Sequence, residues 1–446
     1  MKRSSGNSRT INIVTLGCSK NTVDSEKLLK QIEAGGYSVI YDHDNYDSDT
    51  VIVNTCGFIN DAREESIETI LRYVNAQQSG RIRNLYVMGC LSERYMDAMK
   101  SEIPEVKKYF GVNDLSGILD ELGITVRRDL LSDRKLTGPD HYAYLKISEG
   151  CDRTCAFCSI PLIRGRYISR PVEELTGEAE KLARSGVKEL ILIAQDLSYY
   201  GLDLYGRQML PELVSRLCGI KSHEWIRLHY LYPANFQREI ILMMKEEPRI
   251  CRYIDIPVQH ISDRMLRLMR RSHGGRETRE LLGWIRQELP DAAIRTTLIA
   301  GHPGETARDF RELKDFIREF RFDRLGVFPY SHEEGTYGWK HYRDEISERV
   351  KRSRVDELME LQQSVSAELN AEKEGRIMKV LIDRREGEYF TGRTEYDSPE
   401  VDNEVLINAG YNLTPGHFYD ILITGSTEFD LFGKPIGQEE VQPPSS

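Results

Sequence analysis

Short, continuously apolar runs alternate with longer segments of helical periodicity along most of the chain. Residues 11–16 (INIVTL), 50–54 (TVIVN) and 84–88 (NLYVM) read as strands. Helical patterns near 22–34 and 61–78 separate them, the first stopped by Gly35-Gly36. Apolar runs without polar alternation suit parallel strands covered on both faces. Residues 1–125 are therefore expected to form a parallel α/β sheet domain. Residues 126–140 are charged, carry Gly138-Pro139 and read as a linker.

Six further strand candidates follow, at 143–148, 188–194, 225–231, 252–258, 294–300 and 324–329. Helical patterns lie near 171–185, 209–219, 235–246, 261–288 and 306–320. Six such units over 141–372 predict a partial (β/α)6 barrel, and residues 346–373 predict one long helix running out of it. Residues 373–440 hold strand-like segments at 378–382, 388–392, 403–407 and 418–423, divided by Gly, Pro, Asn and Asp. They predict a small antiparallel β-barrel. The fold class is α/β multidomain.

No run of about 18 apolar residues occurs, so no membrane span is expected. The opening MKRSSGNSRT is basic and polar with no signal-length apolar stretch behind it. A cytoplasmic protein is expected, in which the 8 Cys are metal ligands or free thiols rather than disulfides. The net charge of −10 argues against a protein built chiefly to grip nucleic acid and favours a small molecule or a basic protein. Between residues 374 and 437, six basic residues face twelve acidic ones, a net of −6 that would repel phosphates and suit a cationic protein.

Cys151, Cys155 and Cys158 form CxxxCxxC, three thiolates within eight residues. With no fourth Cys or His close behind, a closed zinc site is not suggested. A cubane on three thiolates leaves one iron free for a ligand. Cys18, Cys56 and Cys90 each follow a predicted strand, at the sheet edge where ligands bind. Gly17, Gly57 and Gly89 beside them would let a bulky ligand approach the backbone. From spacing alone, a second three-thiolate site and ordinary partly buried thiols both stay open.

Other polar residues fall at predicted strand ends. Gly301-His302-Pro303-Gly304-Glu305-Thr306 is a Gly-rich turn opening a helix, able to present N–H groups to a polar ligand. Arg164, Arg166 and Arg170 could hold a carboxylate or steady an anionic cluster, or form a solvated face. His260 and His302 lack ligand spacing and read as hydrogen-bonding residues. Cys218 and Cys251 read as packed thiols.

CxxxCxxC with Phe157 before the last Cys resembles the radical S-adenosylmethionine (radical-SAM) signature. In that family three Cys hold a [4Fe-4S] cluster whose free iron is chelated by the cofactor. LGCSKNTVDSE (16–26), NTCGFI (54–59) and MGCLSERY (88–95) resemble the amino-terminal domain of the methylthiotransferase subfamily. The last segment resembles a TRAM domain. The resemblance implies two [4Fe-4S] clusters, one on Cys151, Cys155 and Cys158 and an auxiliary one on Cys18, Cys56 and Cys90 that carries the sulfur to be transferred. S-adenosyl-L-methionine is implied as cofactor, with contacts from Phe157 and from the Gly301, Pro303, Gly304 and Glu305 segment. No catalytic residue is assigned beyond the clusters.

LGCSKN, AQD (194–196), RLHYLYP (227–233) and DIPVQHISDRMLRLMRR (255–271) resemble the branch that modifies the β-carbon of an aspartate in small-subunit ribosomal protein S-twelve. The alternative is the branch acting on an adenosine of transfer RNA, which usually carries GCQMN and PVQSGS. Implied partners are that ribosomal protein, on the ribosome, and an electron donor, with the enzyme a monomer. A non-catalytic iron–sulfur sensor of ribosomes is the reading from another class.

Overall fold

The computed structural model describes residues 10–41, 46 and 48–438. The basic residues 1–9 and the last two of the 373–440 segment lie outside the described residues. Strands β1 (Thr10–Thr15), β2 (Ser38–Ile40), β3 (Thr50–Thr55), β4 (Asn84–Gly89) and β5 (Lys108–Tyr109) make one parallel sheet in the order β2-β1-β3-β4-β5. Every residue of β3 is buried. One face, with Val51, Val53 and Val87, packs against Ile70 and Tyr73 of the helix Asn60–Gln78. The other, with Ile13, Ile52 and Tyr86, packs against Leu28, Leu29 and Ile32 of the helix Ser19–Ala34. The edge strands β2 and β5 are additions to the sequence reading. With three and two residues, they are too short to carry a period.

The central sheet starts with β6 (Tyr142–Lys146). A short antiparallel pair, β7 (Ser148–Glu149) and β8 (Ile168–Ser169), then closes the base of the CxxxCxxC loop. Next come β9 (Glu189–Ile193), β10 (Trp225–Leu228), β11 (Ile250–Asp255), β12 (Ala293–Ala300) and β13 (Arg324–Pro329). The order is β13-β12-β11-β10-β9-β6, all parallel, and β6 and β13 do not pair. This is the expected six-stranded partial barrel. The single helix expected over 261–288 is two helices, Asp263–Leu268 and Gly275–Glu288. Arg270 between them has φ 55°, a left-handed backbone that no α-helix passes through.

The third unit is a closed barrel of β14 (Ile377–Glu386), β15 (Tyr389–Thr394), β16 (Val405–Asn408), β17 (Phe418–Ser426) and β18 (Leu431–Pro435). Its pairs are antiparallel except β16 with β18. The fifth strand escaped the sequence reading because Gly433 and Pro435 are poor strand formers.

The barrel docks on the central sheet through buried charge. Glu189 accepts from Arg227 at 2.6 Å and pairs with Arg393 at 2.8 Å, and Arg393 also pairs with Asp383 at 2.6 Å. Arg324 pairs with Asp397, and Tyr253 donates to Asp402 at 2.7 Å. Three of the twelve acidic residues counted above are thus buried in the joint and unavailable to a basic partner. The segment 126–140 is tied to both neighbouring units at Arg134. Its side chain, 1% exposed, pairs with Glu26 of the amino-terminal unit and with Glu178 on the central helix Val172–Arg184.

Desolvation holds His260 down at a pKa of about 3 and His302 at about 4. Below the ordinary value of about 6.5, the unfolded chain takes up protons that the folded chain refuses. That stability is present above pH 6.5 and is lost as pH falls from there toward 3. His260→Asn keeps an acceptor for the Ile261 and Ser262 N–H groups, which His260 Nδ1 receives at 2.8 and 3.0 Å. The variant should flatten unfolding free energy against pH by about 1.4 kcal/mol per unit between about pH 4 and 5.5. Anaerobic urea titrations at several pH values measure this, and an unchanged slope would refute it.

Candidate metal centres

Cys18, Cys56 and Cys90 stand just past β1, β3 and β4 at the carboxyl edge, and Asn21 ties their loops together. Its Nδ2 donates to Leu16 O at 2.8 Å and Thr55 O at 3.1 Å. Its Oδ1 lies 3.7 Å from Cys90 Sγ. Asn54 Nδ2 donates back to Asn21 O at 3.0 Å and to Ser25 Oγ at 2.9 Å. Asn21 is 1% exposed, and sequence reasoning quoted it within LGCSKN without a role. An Asn in the first turn of a helix is a common surface residue, so one sequence alone could not mark it.

The glycines beside these thiols are used differently from the expectation. A Cβ on Gly17, at φ 91°, would lie 2.7 Å from Cys56 Cβ. One on Gly89, at φ 100°, would lie 2.4 Å from Asn54 Oδ1. The missing side chains let the three loops approach one another.

The three thiols feel each other. Burial pushes Cys90 up to about 12, against Arg164, with Cys18 and Cys56 adding repulsion. Burial also raises Cys56. Cys18, the exposed member of the three, runs the other way: crowding by the neighbouring loops opposes its charge, but Lys20 and Arg164 hold it below the ordinary thiol value.

The second group lies on the loop closed by β7 and β8. Cys151, Cys155 and Cys158 line one cavity of about 550 Å³ with Arg153, Arg166, Arg270 and Tyr337. Cys151 N donates to Gly165 O at 3.1 Å and Ala156 N to Met269 O at 2.9 Å. Gly338 N donates to Ala156 O at 2.7 Å. Arg271, just past the helix break, reaches Cys155 Sγ at 3.5 Å, donates to Pro257 O at 2.7 Å and lies 4.2 Å over the Tyr232 ring. The broken helix therefore delivers a backbone acceptor and a guanidinium to the thiol loop. Burial raises Cys151 to about 12 and raises Cys158 as well.

Arg164 joins the groups. It follows the CxxxCxxC loop, is 3% exposed, and crosses to the amino-terminal domain. Its Nη2 lies 2.6 Å from Asn21 Oδ1 and 3.5 Å from Cys90 Sγ. Its Nη1 meets Glu149 at 2.8 Å and Asp24 at 3.2 Å. Burial would raise Glu149, but Lys146 and Arg164 hold it at about 2. Lys20 Nζ lies 3.6 Å over the Tyr230 ring, and Arg94 pairs with Glu333 at 2.6 Å, so the domains meet around both thiol groups.

The other expected residues separate. Phe157 packs with Met265, Met269, Ile299 and Tyr330 and anchors the loop from behind. Gly301, Pro303, Gly304 and Glu305 do not line the thiol cavity. The Gly301 N–H goes to Glu305 and the Gly304 N–H to Glu345, at 2.7 Å for the latter. Arg170 is taken up by Glu174 and Glu178. His302 Nδ1 contacts Pro303 O at 3.0 Å. Cys218 and Cys251 are buried.

The donor chemistry fits iron–sulfur clusters. A thiol held near 12 keeps its proton in neutral water, and iron supplies the charge that lets three sulfurs ionise side by side. Among the described residues, no three Cys, His, Asp or Glu side chains close to within the span of a single metal ion. A polynuclear cluster spreads its sulfurs wider than one ion does, and each group has three thiols with no fourth.

Residues 10–111 match the family described as Uncharacterized protein family UPF0004, residues 145–317 the Radical SAM superfamily, and residues 375–436 the TRAM domain. Ribosomal protein uS12 methylthiotransferase RimO of Bacteroides fragilis is 53% identical over 429 residues, 96% of this chain and 99% of that protein. RimO of Christiangramia forsetii is 50% identical over 444 residues, 99% and 98% of the two chains.

The chain belongs to the RimO family of methylthiotransferases.

As a RimO-family chain it is a radical-SAM enzyme, a transferase. Among solved structures, the radical S-adenosylmethionine methyltransferase TsrM of Kitasatospora setae, with cobalamin and a [4Fe-4S] cluster bound, matches with TM-score 0.50 at 14% identity, over 72% of this chain and 75% of that one. The cobalamin-dependent radical enzyme OxsB matches with TM-score 0.51 at 13% identity, over 80% and 56%. These likenesses concern fold alone.

Gly17→Ala forces a left-handed alanine against Cys56. It should cost about 1–3 kcal/mol locally and lower iron bound per chain after anaerobic reconstitution toward half, with the CxxxCxxC group still loaded. Iron analysis and Mössbauer spectra report this. Full iron content would show that the loop approach is not needed.

Proposed function

We propose that this chain attaches a methylthio group to the β-carbon of an aspartate of small-subunit ribosomal protein uS12. The observation that carries the reading is the meeting of two three-thiol groups across one domain joint, with Arg164 in contact with Cys90 and with the base of the CxxxCxxC loop. Near-full-length similarity to uS12 methylthiotransferases supports the substrate. In this reading Cys151, Cys155 and Cys158 hold one [4Fe-4S] cluster, and Cys18, Cys56 and Cys90 hold the auxiliary one. With S-adenosyl-L-methionine, the two clusters supply a radical that removes hydrogen from an unactivated carbon and a methylated sulfur to replace it.

The chain's own residues orient and enclose. Arg271 and Arg153 flank the thiol loop over the Tyr232 ring, at 4.2 and 4.0 Å. Asp196 fixes Arg153 at 2.9 Å. Phe157 and its apolar neighbours keep water from the back of the loop. Asn21 and Arg164 hold the auxiliary loops in register with the radical site, where small displacements cost rate. An external electron donor completes the reaction, and the enzyme works as a cytoplasmic monomer on the ribosomal protein. Among the described residues, no helix is long and apolar enough to cross a membrane.

A product assay tests this. Reconstituted protein, S-adenosyl-L-methionine and reductant are incubated with a uS12 peptide or with transfer RNA, and both are followed by mass spectrometry. A methylthio mass gain on the peptide aspartate is expected; a gain on the RNA alone would overturn the substrate. Cys155→Ala should abolish 5′-deoxyadenosine formation. Cys56→Ala should keep it and make no methylthiolated product. Cleavage by the first variant, or product from the second, would overturn the assignment of the clusters.

A further inference from the structure

Most guanidinium groups around the CxxxCxxC loop are committed within the protein. Arg153 is held by Asp196 at 2.9 Å, Arg164 by Glu149 and Asp24, and Arg271 by Pro257 O and Cys155. Arg166 and Arg270 are the exceptions. Both are exposed, both line the thiol cavity, and among the described residues neither has an ion pair or a side-chain hydrogen bond. Asp152, an acid in the same lining, accepts from Tyr167 N at 3.1 Å.

Arg270 is also fixed in place. Its backbone is left-handed, at φ 55°, a conformation of the kind that gathers at functional positions. Its guanidinium lies 4.1 Å over the Tyr337 ring, and that ring stacks on His341 at 3.9 Å. Elsewhere in the lining, the backbone of Arg166 is pinned against Gly150, where a Cβ would come within 2.0 Å of Arg166 O. In a protein of net charge −10, two exposed arginines without carboxylate partners in the lining of one cavity make it locally attractive to an anion. Planar guanidinium groups match a carboxylate in two-point fashion.

We propose that Arg166 and Arg270 are substrate-positioning residues that receive the side-chain carboxylate of the target aspartate. This rests on the functional reading above. The carbon to be modified is bonded to that carboxylate, so anchoring the anion fixes the reacting C–H bond relative to the thiol loop. The pair also makes the site select an acidic side chain.

Fluorescence anisotropy with labelled uS12 peptides tests this on cluster-loaded protein. One peptide carries the target aspartate and the other asparagine in its place. Wild-type protein should favour the aspartate peptide by about tenfold to a hundredfold, the scale of charge-assisted hydrogen bonds. In the Arg166→Gln/Arg270→Gln double variant the two affinities should agree within about twofold, and Arg270→Lys should keep part of the preference. Calorimetric titration with S-adenosyl-L-methionine distinguishes the other carboxylate in the system. A comparable loss of cofactor affinity in the double variant, with peptide preference kept, would assign the pair to the cofactor and overturn the proposal. Equal binding of both peptides by wild type would overturn the pair alone. Binding of neither peptide would overturn the uS12 reading and the pair with it.

Discussion

One guanidinium sets the geometry of the chemical centre. Arg164 leaves the CxxxCxxC loop, crosses the domain boundary and meets Asn21, Asp24, Glu149 and Cys90 at once. A buried cation is tolerated only when its donors are matched, and here two carboxylates, an amide oxygen and a thiol sulfur surround it. Removing one partner of such a buried set costs about 3–5 kcal/mol. The consequence is structural before it is chemical. The loop with one thiol group cannot shift relative to the other group without exposing a charge to apolar surroundings. Lys146 doubles the restraint, pairing with Glu149 at 2.7 Å and with Asp24.

Asn21 carries that constraint into the amino-terminal sheet. Its two amide hydrogens reach the chain just before Gly17-Cys18 and just before Cys56, while its oxygen faces Arg164 and Cys90. Three loops that meet only in the folded sheet are thereby locked by one side chain. The glycines at 17 and 89 belong to the same arrangement, because contacts below 3 Å leave no room for a Cβ. Cys56 and Cys90, raised by burial, and Cys18, lowered by Lys20 and Arg164, form a donor set to which a cation would bring the missing charge.

Much of this was legible before any coordinate. Apolar runs such as TVIVNT and ELILI, buried along their whole lengths, announce parallel sheets covered on both faces. Six thiols stood out by spacing and by their place after strands. The losses have physical causes. The break near Arg270 was invisible because MLRLMRRS keeps helical periodicity through a residue that tertiary contacts force left-handed. At the 301–305 turn, the Gly301 and Gly304 N–H groups face Glu305 and Glu345, the latter 41 residues further along the chain. Nothing local reveals a partner so distant.

Charge was the least transferable signal, because a count assigns every acid to the surface. Asp383, Asp397 and Asp402 instead lie in the joint between the small barrel and the central sheet, facing Arg393, Arg324 and Arg295. Their role is docking, with Glu189 and Arg227 both fully buried at its centre. That joint uses the start of β9 and β13, where Glu189 and Arg324 are the first residues. The thiol loop occupies the opposite, carboxyl-terminal end of the same sheet. The barrel strands therefore act as rigid spacers between a charged foundation and a chemical mouth. A cationic partner would be left with the remaining surface acids for attraction, and Arg166 and Arg270, without carboxylate partners, are the local exception that suits an acidic side chain.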